Sequence, residues 1–520
     1  MQIRMKNKLF FFIVGFLGGF VYPPFSMMYP IVSVLCLSLY LSYLLYLIDK
    51  SRSARQAFWK MFWLSEISYI LAFSWILKPF YFLENMPSVL VQFLSYTCLF
   101  LLTAFLTLFI EFSGIVVFKT KPKYRYFMFA VSVAFFEWVR GWIFTGLPWN
   151  PIALVWADVP VVLQSLSLFG PYTLTFMTVF VLSLPYLLLY KKDWKNYNVL
   201  GAVCLCLFVV CFGGWRIHKY SGIRDNDFKL RLIDANIPQH LVYNRNVVDV
   251  YEKLIKLDGW KDIDLFVLPE TSSPYDLTNN GYYQMIYSNF NNDKSSLVVG
   301  FNRYDNFDEV NEDYDVYNSF AVLNRDGVQY VYDKKHLVPF GEYIPFKQLI
   351  PFKKFTAGVK DFSKGEKREA FIIGEQKFLP LICYEVIFSG LFIADDIDAL
   401  INISNDAWFG ESGKYQHFAL SRFRAVEEGV SLIRVSNDGA VGGKAVSVVS
   451  PLGFERDAIN SVLEEKFSGY AVKDFVLPAR VSATLFSKFG NFPFIIFCFI
   501  VFVLQFRLWQ YLDFTKKKQK

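Results

Sequence analysis

One cysteine in this chain stands apart from the others. Cys383 closes an apolar run in P-L-I-C-Y-E, whereas Cys36, Cys98, Cys204, Cys206, Cys211 and Cys498 lie inside long apolar segments. A lone thiol without a disulfide partner is either a small buried hydrophobe or a nucleophile. Two other stretches offer what a nucleophile needs. Glu270 in V-L-P-E-T and Lys334 in Y-D-K-K-H-L-V-P-F-G-E each follow a strand-like run, and strand ends are where sites in α/β domains collect. A carboxylate there can take the thiol proton and hand it to a leaving group. An ammonium can lower a thiol pKa from about 8.5 and offset the charge of an oxyanion. Each also has an ordinary reading, as a loop carboxylate or a solvated lysine. Lys335 competes with Lys334, but strand alternation sends the two to opposite faces. Glu342 is a second acid of the site or a turn residue, and Glu385 orients the site or makes a structural ion pair. The main-chain N–H of Tyr384 is a candidate oxyanion donor, a contribution of about 10² to 10³ in rate. His336 offers a Cys–His alternative, yet its place two residues beyond Lys334 suits packing equally well.

The elements that must position these groups begin in lipid. With 54% hydrophobic and 19% aromatic residues among 520, the chain is too apolar for an ordinary soluble enzyme. Its net charge of +7 is modest, and the basic residues sit between apolar spans instead of forming a patch for nucleic acid. Eight spans are expected, near residues 9–22, 29–48, 62–76, 89–109, 127–144, 161–190, 199–215 and 491–511. The sixth contains Pro171 and Pro185 and should be irregular. Arg4, Lys6 and Lys8, then Lys50, Arg52, Arg55 and Lys60, then Lys119, Lys121, Lys123 and Arg125, then Lys191, Lys192 and Lys195 mark alternate loops, and Lys516, Lys517, Lys518 and Lys520 close the chain. The positive-inside rule therefore puts both termini in the cytoplasm and exports the region after the seventh span. The first span reads as a retained anchor, not a cleaved signal. Expected domains are 1–215 (seven-span region), 216–488 (exported α/β domain) and 489–520 (eighth helix and basic tail).

The exported region alternates strands and helices, which predicts a layered α/β sandwich. Strands are expected at 229–236, 265–269, 296–302, 319–324, 329–333, 378–383, 399–404, 431–435 and 445–450, with helices at 246–257 and 414–428. Asn324, Arg325, Asp326 and Gly327 form a hairpin signal. Glu137 and Arg140, three apart in the fifth span, either pair on one helix face or bind a lipid headgroup. The stretch 339–356 mixes Phe340, Tyr343, Phe346, Phe352 and Phe355 with Lys347, Lys353 and Lys354, as suits a loop at a lipid interface or a second apolar cluster. No metal-ligand spacing is visible.

The order Glu270, Lys334, Cys383 resembles the nitrilase superfamily, whose Glu–Lys–Cys triad acts on amides and acyl groups in an αββα sandwich. With eight spans around it, the chain is similar to the membrane-embedded apolipoprotein N-acyltransferase family over essentially its whole length. The supporting strings are F-T-G-L-P-W (144–149), A-N-I-P-Q (235–239), L-P-E-T (268–271), H-L-V-P-F-G-E (336–342), I-C-Y-E (382–385) and N-D-A-W-F-G (405–410). The resemblance implies an eight-helix transmembrane bundle with a nitrilase-like α/β domain on the periplasmic side of a bacterial inner membrane. It implies catalytic Glu270, Lys334 and Cys383, with Glu342, Tyr384 and Glu385 in support, and Trp408, Phe409, Tyr243 and Arg140 on the substrate path. It further implies acyl transfer from a phospholipid donor, through a cysteine thioester, to the N-terminal diacylglyceryl-cysteine of an apolipoprotein, without cofactor, metal or nucleic acid. A membrane-tethered amidase shares the same triad, and a lipid-binding scaffold is the alternative outside catalysis. Two departures stand out: Tyr243 where relatives usually carry tryptophan, and Asn437-Asp438-Gly439 where Thr is commoner in the middle.

Overall fold

The computed structural model describes residues 2–82, 86–278, 294–308, 313–345, 347, 360–390, 396–437, 445–464 and 470–518. Most of stretch 339–356, together with Asp438 and Gly439, lies outside the described residues.

The first part of the chain is a helical bundle: α1 (Gln2–Gly19), α2 (Pro30–Asp49), α3 (Ala54–Ala72), α4 (Ser88–Lys119), α5 (Arg125–Arg140), α6 (Leu166–Leu182) and α7 (Tyr197–Tyr220). Four helical stretches are long and apolar enough to cross a membrane by themselves, namely Pro30–Asp49, Ser88–Lys119, Leu166–Lys191 and Tyr197–Tyr220. The remaining expected spans are helical too, but α3 carries Arg55, Lys60 and Glu66, α5 has only 16 residues, and Lys8–Gly19 and Phe492–Phe506 are short apolar helices. Leu9, Ile31, Val89, Phe93, Leu200 and Phe499 stand exposed on the outside. Such an apolar exterior matches lipid, not water. The sixth helix is irregular as expected: Gly170 adopts φ 72° just before Pro171. A Cβ there would come within 2.1 Å of the Phe486 ring, so glycine is required on both counts.

The α/β domain has two sheets. Its strands are β1 (Asp225–Asp234), β2 (Leu265–Val267), β3 (Ser296–Asp308), β4 (Asp313–Asn324), β5 (Gly327–Asp333), β6 (Phe371–Ile373), β7 (Gln376–Ile382), β8 (Ala399–Asn405), β9 (Ser431–Asn437), β10 (Val446–Val449), β11 (Asn460–Glu464) and β12 (Ala471–Pro478). The larger sheet runs β11-β12-β1-β2-β3-β4-β5 and the smaller β10-β9-β8-β7-β6. All nine expected strands are present, and the hairpin pairs Asn324 with Gly327. The sequence pattern missed β6, β11 and β12. In β12 the apolar run is broken by Lys473 and Asp474; Asp474 is buried only because Arg231 of β1 meets it at 2.8 Å.

Leu232, Val267 and Phe320 of the larger sheet face Phe378, Ile382, Ile401 and Ile433 of the smaller. Helix α8 (Val247–Ile255) covers the outer face of the larger sheet through Val247, Tyr251 and Leu254. Helix α9 (Glu411–Glu428) covers the smaller, and here the core does not stop. Leu379, Leu381, Phe418 and Phe423 share one apolar cluster with Trp149, Leu163 and Val179 of the bundle. Helix α10 (Phe492–Lys518) then returns to the bundle, placing Phe494 beside Tyr172.

The two ends of the bundle differ. At one, Asp49 binds Arg125 at 3.0 Å and Lys191 at 2.6 Å, tying the ends of three segments together. At the other, the α/β domain docks. Gly410 N–H donates to Trp75 O at 3.2 Å, and the Tyr384 hydroxyl donates to Gly146 O at 2.8 Å.

Candidate active site

The residue after strand β7, Cys383, enters the gap between the sheets, and the chain turns sharply there. Cys383 has φ 48°, a left-handed conformation that costs a non-glycine residue about 1–3 kcal/mol. Glu270 follows β2, and Gly300 of β3 lets its backbone come close: a Cβ on Gly300 would lie 2.7 Å from Glu270 Cα. Lys334 follows β5, its N–H donating to Asn318 O at 2.8 Å.

These three converge with Glu342. The Lys334 Nζ lies 2.9 Å from Glu342 Oε1 and 3.6 Å from Glu270 Oε1. Asn318 bridges the same two acids, its Nδ2 donating to Glu270 at 2.7 Å and to Glu342 at 2.8 Å. The second Glu342 oxygen accepts Val338 N–H at 2.7 Å, which fixes the loop after Lys334. One ammonium therefore sits between two buried carboxylates. Burial lifts the Glu270 carboxyl above its usual range, Lys334 opposes this, and Glu342 adds to it. For Lys334 burial works against the charge, yet Glu342 and Glu270 outweigh it and hold the ammonium above its ordinary value. Burial and the Glu270 charge push the Cys383 thiol up, and Lys334 only partly pulls it down. The expected lowering by Lys334 is thus present but outweighed. The resting group is a thiol with a base beside it.

Glu385 is tied on every side. It accepts Tyr332 O–H at 2.6 Å, Lys335 N–H at 3.0 Å, His336 N–H at 3.1 Å and Ile382 N–H at 2.9 Å, and pairs with Arg368 at 2.6 Å. It thereby fixes the Lys334 loop to the end of β7; burial disfavours its charge, but Arg368 and these donors hold the carboxyl low. The His336 ring packs on Phe388 at 4.6 Å, and burial lowers it to about 4. That suits packing better than proton transfer.

The expected substrate-path residues scatter. Phe409 lies among Trp75, Trp149 and His417 with centroids 5.0–5.3 Å away, while Trp408 meets Phe82 at 5.1 Å. Tyr243 is half exposed, and its hydroxyl accepts from Asn302 at 3.4 Å. Arg140 is buried and donates to Trp149 O, Asn150 O and the Tyr69 hydroxyl. Of the two alternatives for Glu137 and Arg140, the pair on one helix face is not formed. Glu137 instead accepts Ile152 N–H at 2.9 Å and Thr175 O–H at 2.8 Å, because the unpaired donors of a neighbouring loop and helix are nearer.

Sequence reasoning missed Asn318 and a second buried network, Asp406, His417, Arg434 and Asn402. Asp406 belongs to the N-D-A-W-F-G string, whose aromatic residues drew the notice; no spacing rule marks His417 or Arg434. Among the described residues no group of three or more His, Cys, Asp or Glu could hold a metal ion.

A two-sheet domain with a thiol, a carboxylate and an ammonium at strand ends fits the profile described as carbon-nitrogen hydrolase, which matches residues 245–460. Residues 14–184 match the profile of the apolipoprotein N-acyltransferase N-terminal domain. The apolipoprotein N-acyltransferase of Rickettsia bellii is 31% identical, over 97% of this chain and 98% of its own. That of Rickettsia prowazekii is 29% identical, over 96% and 97%. A crystal structure of a CN-hydrolase superfamily protein from Xanthomonas campestris aligns at a TM-score of 0.35 and 18% identity, over 52% of this chain and 96% of that one. The chain belongs to the apolipoprotein N-acyltransferase family.

Proposed function

We propose that this protein N-acylates lipoproteins by a two-step transfer. The observation that carries the mechanism is the buried meeting of Glu270 and Lys334 at 3.6 Å beside the buried Cys383. In the first step the Cys383 sulfur attacks the ester carbonyl of a membrane phospholipid while its proton passes to Glu270. Lys334 Nζ and the Tyr384 N–H stabilise the resulting oxyanion. Collapse breaks the carbon–oxygen bond, Glu270 returns the proton to the departing alkoxide, and a lysophospholipid leaves. The fatty acyl group remains as a thioester. In the second step the α-amino group of an N-terminal diacylglyceryl-cysteine attacks that thioester, Glu270 takes the amine proton, and collapse to the amide regenerates the thiol. Covalent catalysis splits one ester-to-amide exchange into two easier ones sharing one site.

The docking of the α/β domain on the bundle supports lipid access here: exposed Phe144 lies two residues before Gly146, and exposed Phe340 donates its N–H to Tyr343 O, the Tyr343 hydroxyl in turn donating to Thr145. That face lies opposite the Asp49–Arg125–Lys191 cluster. The positive-inside rule puts basic ends in the cytoplasm, so the reaction takes place outside it, and residues 216–488 form the exported catalytic unit. Incubation of the purified protein with phospholipid, followed by mass spectrometry, should reveal an acyl adduct on Cys383 and free lysophospholipid. No adduct, with Cys383→Ser as active as the wild type, sinks the mechanism; ammonia release from amides in its place points to an amidase.

A further inference from the structure

We propose that His417 is a positioning residue for the nucleophile: it locks the peptide between Cys383 and Tyr384 so that the Tyr384 N–H is presented to the oxyanion. This rests on the reading of Cys383 as the attacking group. The backbone at Cys383 is left-handed and needs an external hold. Two buried donors provide it, because the Cys383 carbonyl faces His417 Nε2 at 3.2 Å and Asn402 Nδ2 at 3.4 Å. A trans peptide is planar, with its C=O and N–H pointing in opposite directions. Fixing the carbonyl toward α9 therefore fixes the Tyr384 N–H away from it.

The imidazole can play this part only with its Nε2 protonated. The carbonyl accepts, so Nε2 must carry a hydrogen. Nδ1 lies 3.0 Å from Asp406 Oδ1 and 3.1 Å from Arg434 Nη2. Burial and Arg434 disfavour the charged ring, and Asp406 opposes them. The same guanidinium binds Asp406 Oδ2 and Asn402 Oδ1, each at 2.5 Å, and so aligns both carbonyl donors at once. Ser404 donates to Asp406 Oδ1 at 2.8 Å.

The ring is also seated from the membrane side. Trp149 stacks on His417 with centroids 5.4 Å apart and donates its Nε1–H to Gln416 at 2.9 Å. Gln416 Nε2 in turn donates to Pro23 O at 3.2 Å and Ala72 O at 3.1 Å. Adjacent residues of α9 thus hold the bundle and the nucleophile peptide.

The test compares two reactions of Cys383 in the full-length protein in detergent. Acylation by phospholipid needs an oxyanion donor; alkylation by iodoacetamide does not. His417→Leu should lower the acylation kcat by about 10² to 10³, the usual loss of one such donor, with KM and alkylation near wild type. His417→Gln, which keeps an N–H donor, should regain most of it. Equal acylation by His417→Leu and wild type overturns the proposal, as does a parallel fall in acylation and alkylation that His417→Gln does not relieve. Should the leucine variant fail to fold, Asn402→Ala must show the same asymmetry in smaller measure, and a symmetric loss there counts against it. The wild-type adduct reports on the acyl-transfer reading, and the ratio between variants reports on the peptide lock.

Discussion

The two sheets bring opposite kinds of polar network to one thiol. From the larger comes Glu270–Lys334–Glu342 with Asn318, two carboxylates around one cation. From the smaller comes Asp406 between the Arg434 guanidinium and the His417 imidazole, with Asn402 on the same guanidinium. Burial opposes the charge of both Glu270 and Asp406, but the outcomes diverge. Burial leaves the Glu270 carboxyl above its ordinary range because Lys334, shared with Glu342, does not offset it, whereas Arg434 and His417 hold Asp406 far below its own. A group that must accept protons needs the first setting, and a group that must hold still needs the second.

Removing the proton acceptor tests this contrast most severely. Glu270→Gln keeps shape and the Asn318 contact, and acyl transfer should fall by about 10² to 10⁴, measured as lysophospholipid release. Lys334→Met should both inactivate and destabilise, by about 3–5 kcal/mol in denaturant unfolding, because Glu270 and Glu342 lose the cation they share. Adding Glu342→Gln to that variant should restore much of the stability and none of the activity. Gly300→Ala presses a methyl against the Glu270 backbone and should cost about 1–3 kcal/mol with a matching loss of rate. His336 gives the smallest effect. Its folded imidazole titrates at about 4 against an unfolded value of 6.5, so the unfolded chain binds more protons between them. Stability is therefore full above 6.5 and is lost as pH falls toward 4. His336→Phe should flatten that part of the melting curve while leaving acyl transfer intact.

The larger sheet's half of the site was legible in the sequence because its groups stand at ends of apolar strands, where pattern and position both speak. Glu270 and Lys334 were singled out this way, as was Cys383, which the smaller sheet contributes at the end of β7. The rest of the smaller sheet's half was not. Arg434 sits inside a strand and His417 inside a helix, at places where a polar residue looks like surface until its partner from another element is known. Asn318 was hidden similarly within β4. The same blindness explains β12, whose Asp474 is legible only beside Arg231. The bundle shows the limit of spacing alone: Glu137 and Arg140 stand three apart, as a pair would, and tertiary partners hold both.

The apolar cluster that runs without a break from Trp149 and Leu163 into Leu381 and Phe418 has a practical corollary. A water-soluble fragment trimmed to the two sheets would bare the underside of α9 and strand Gln416 without its bundle acceptors. Engineers seeking a miniature version should keep the helices, or design a substitute floor for the domain to rest on.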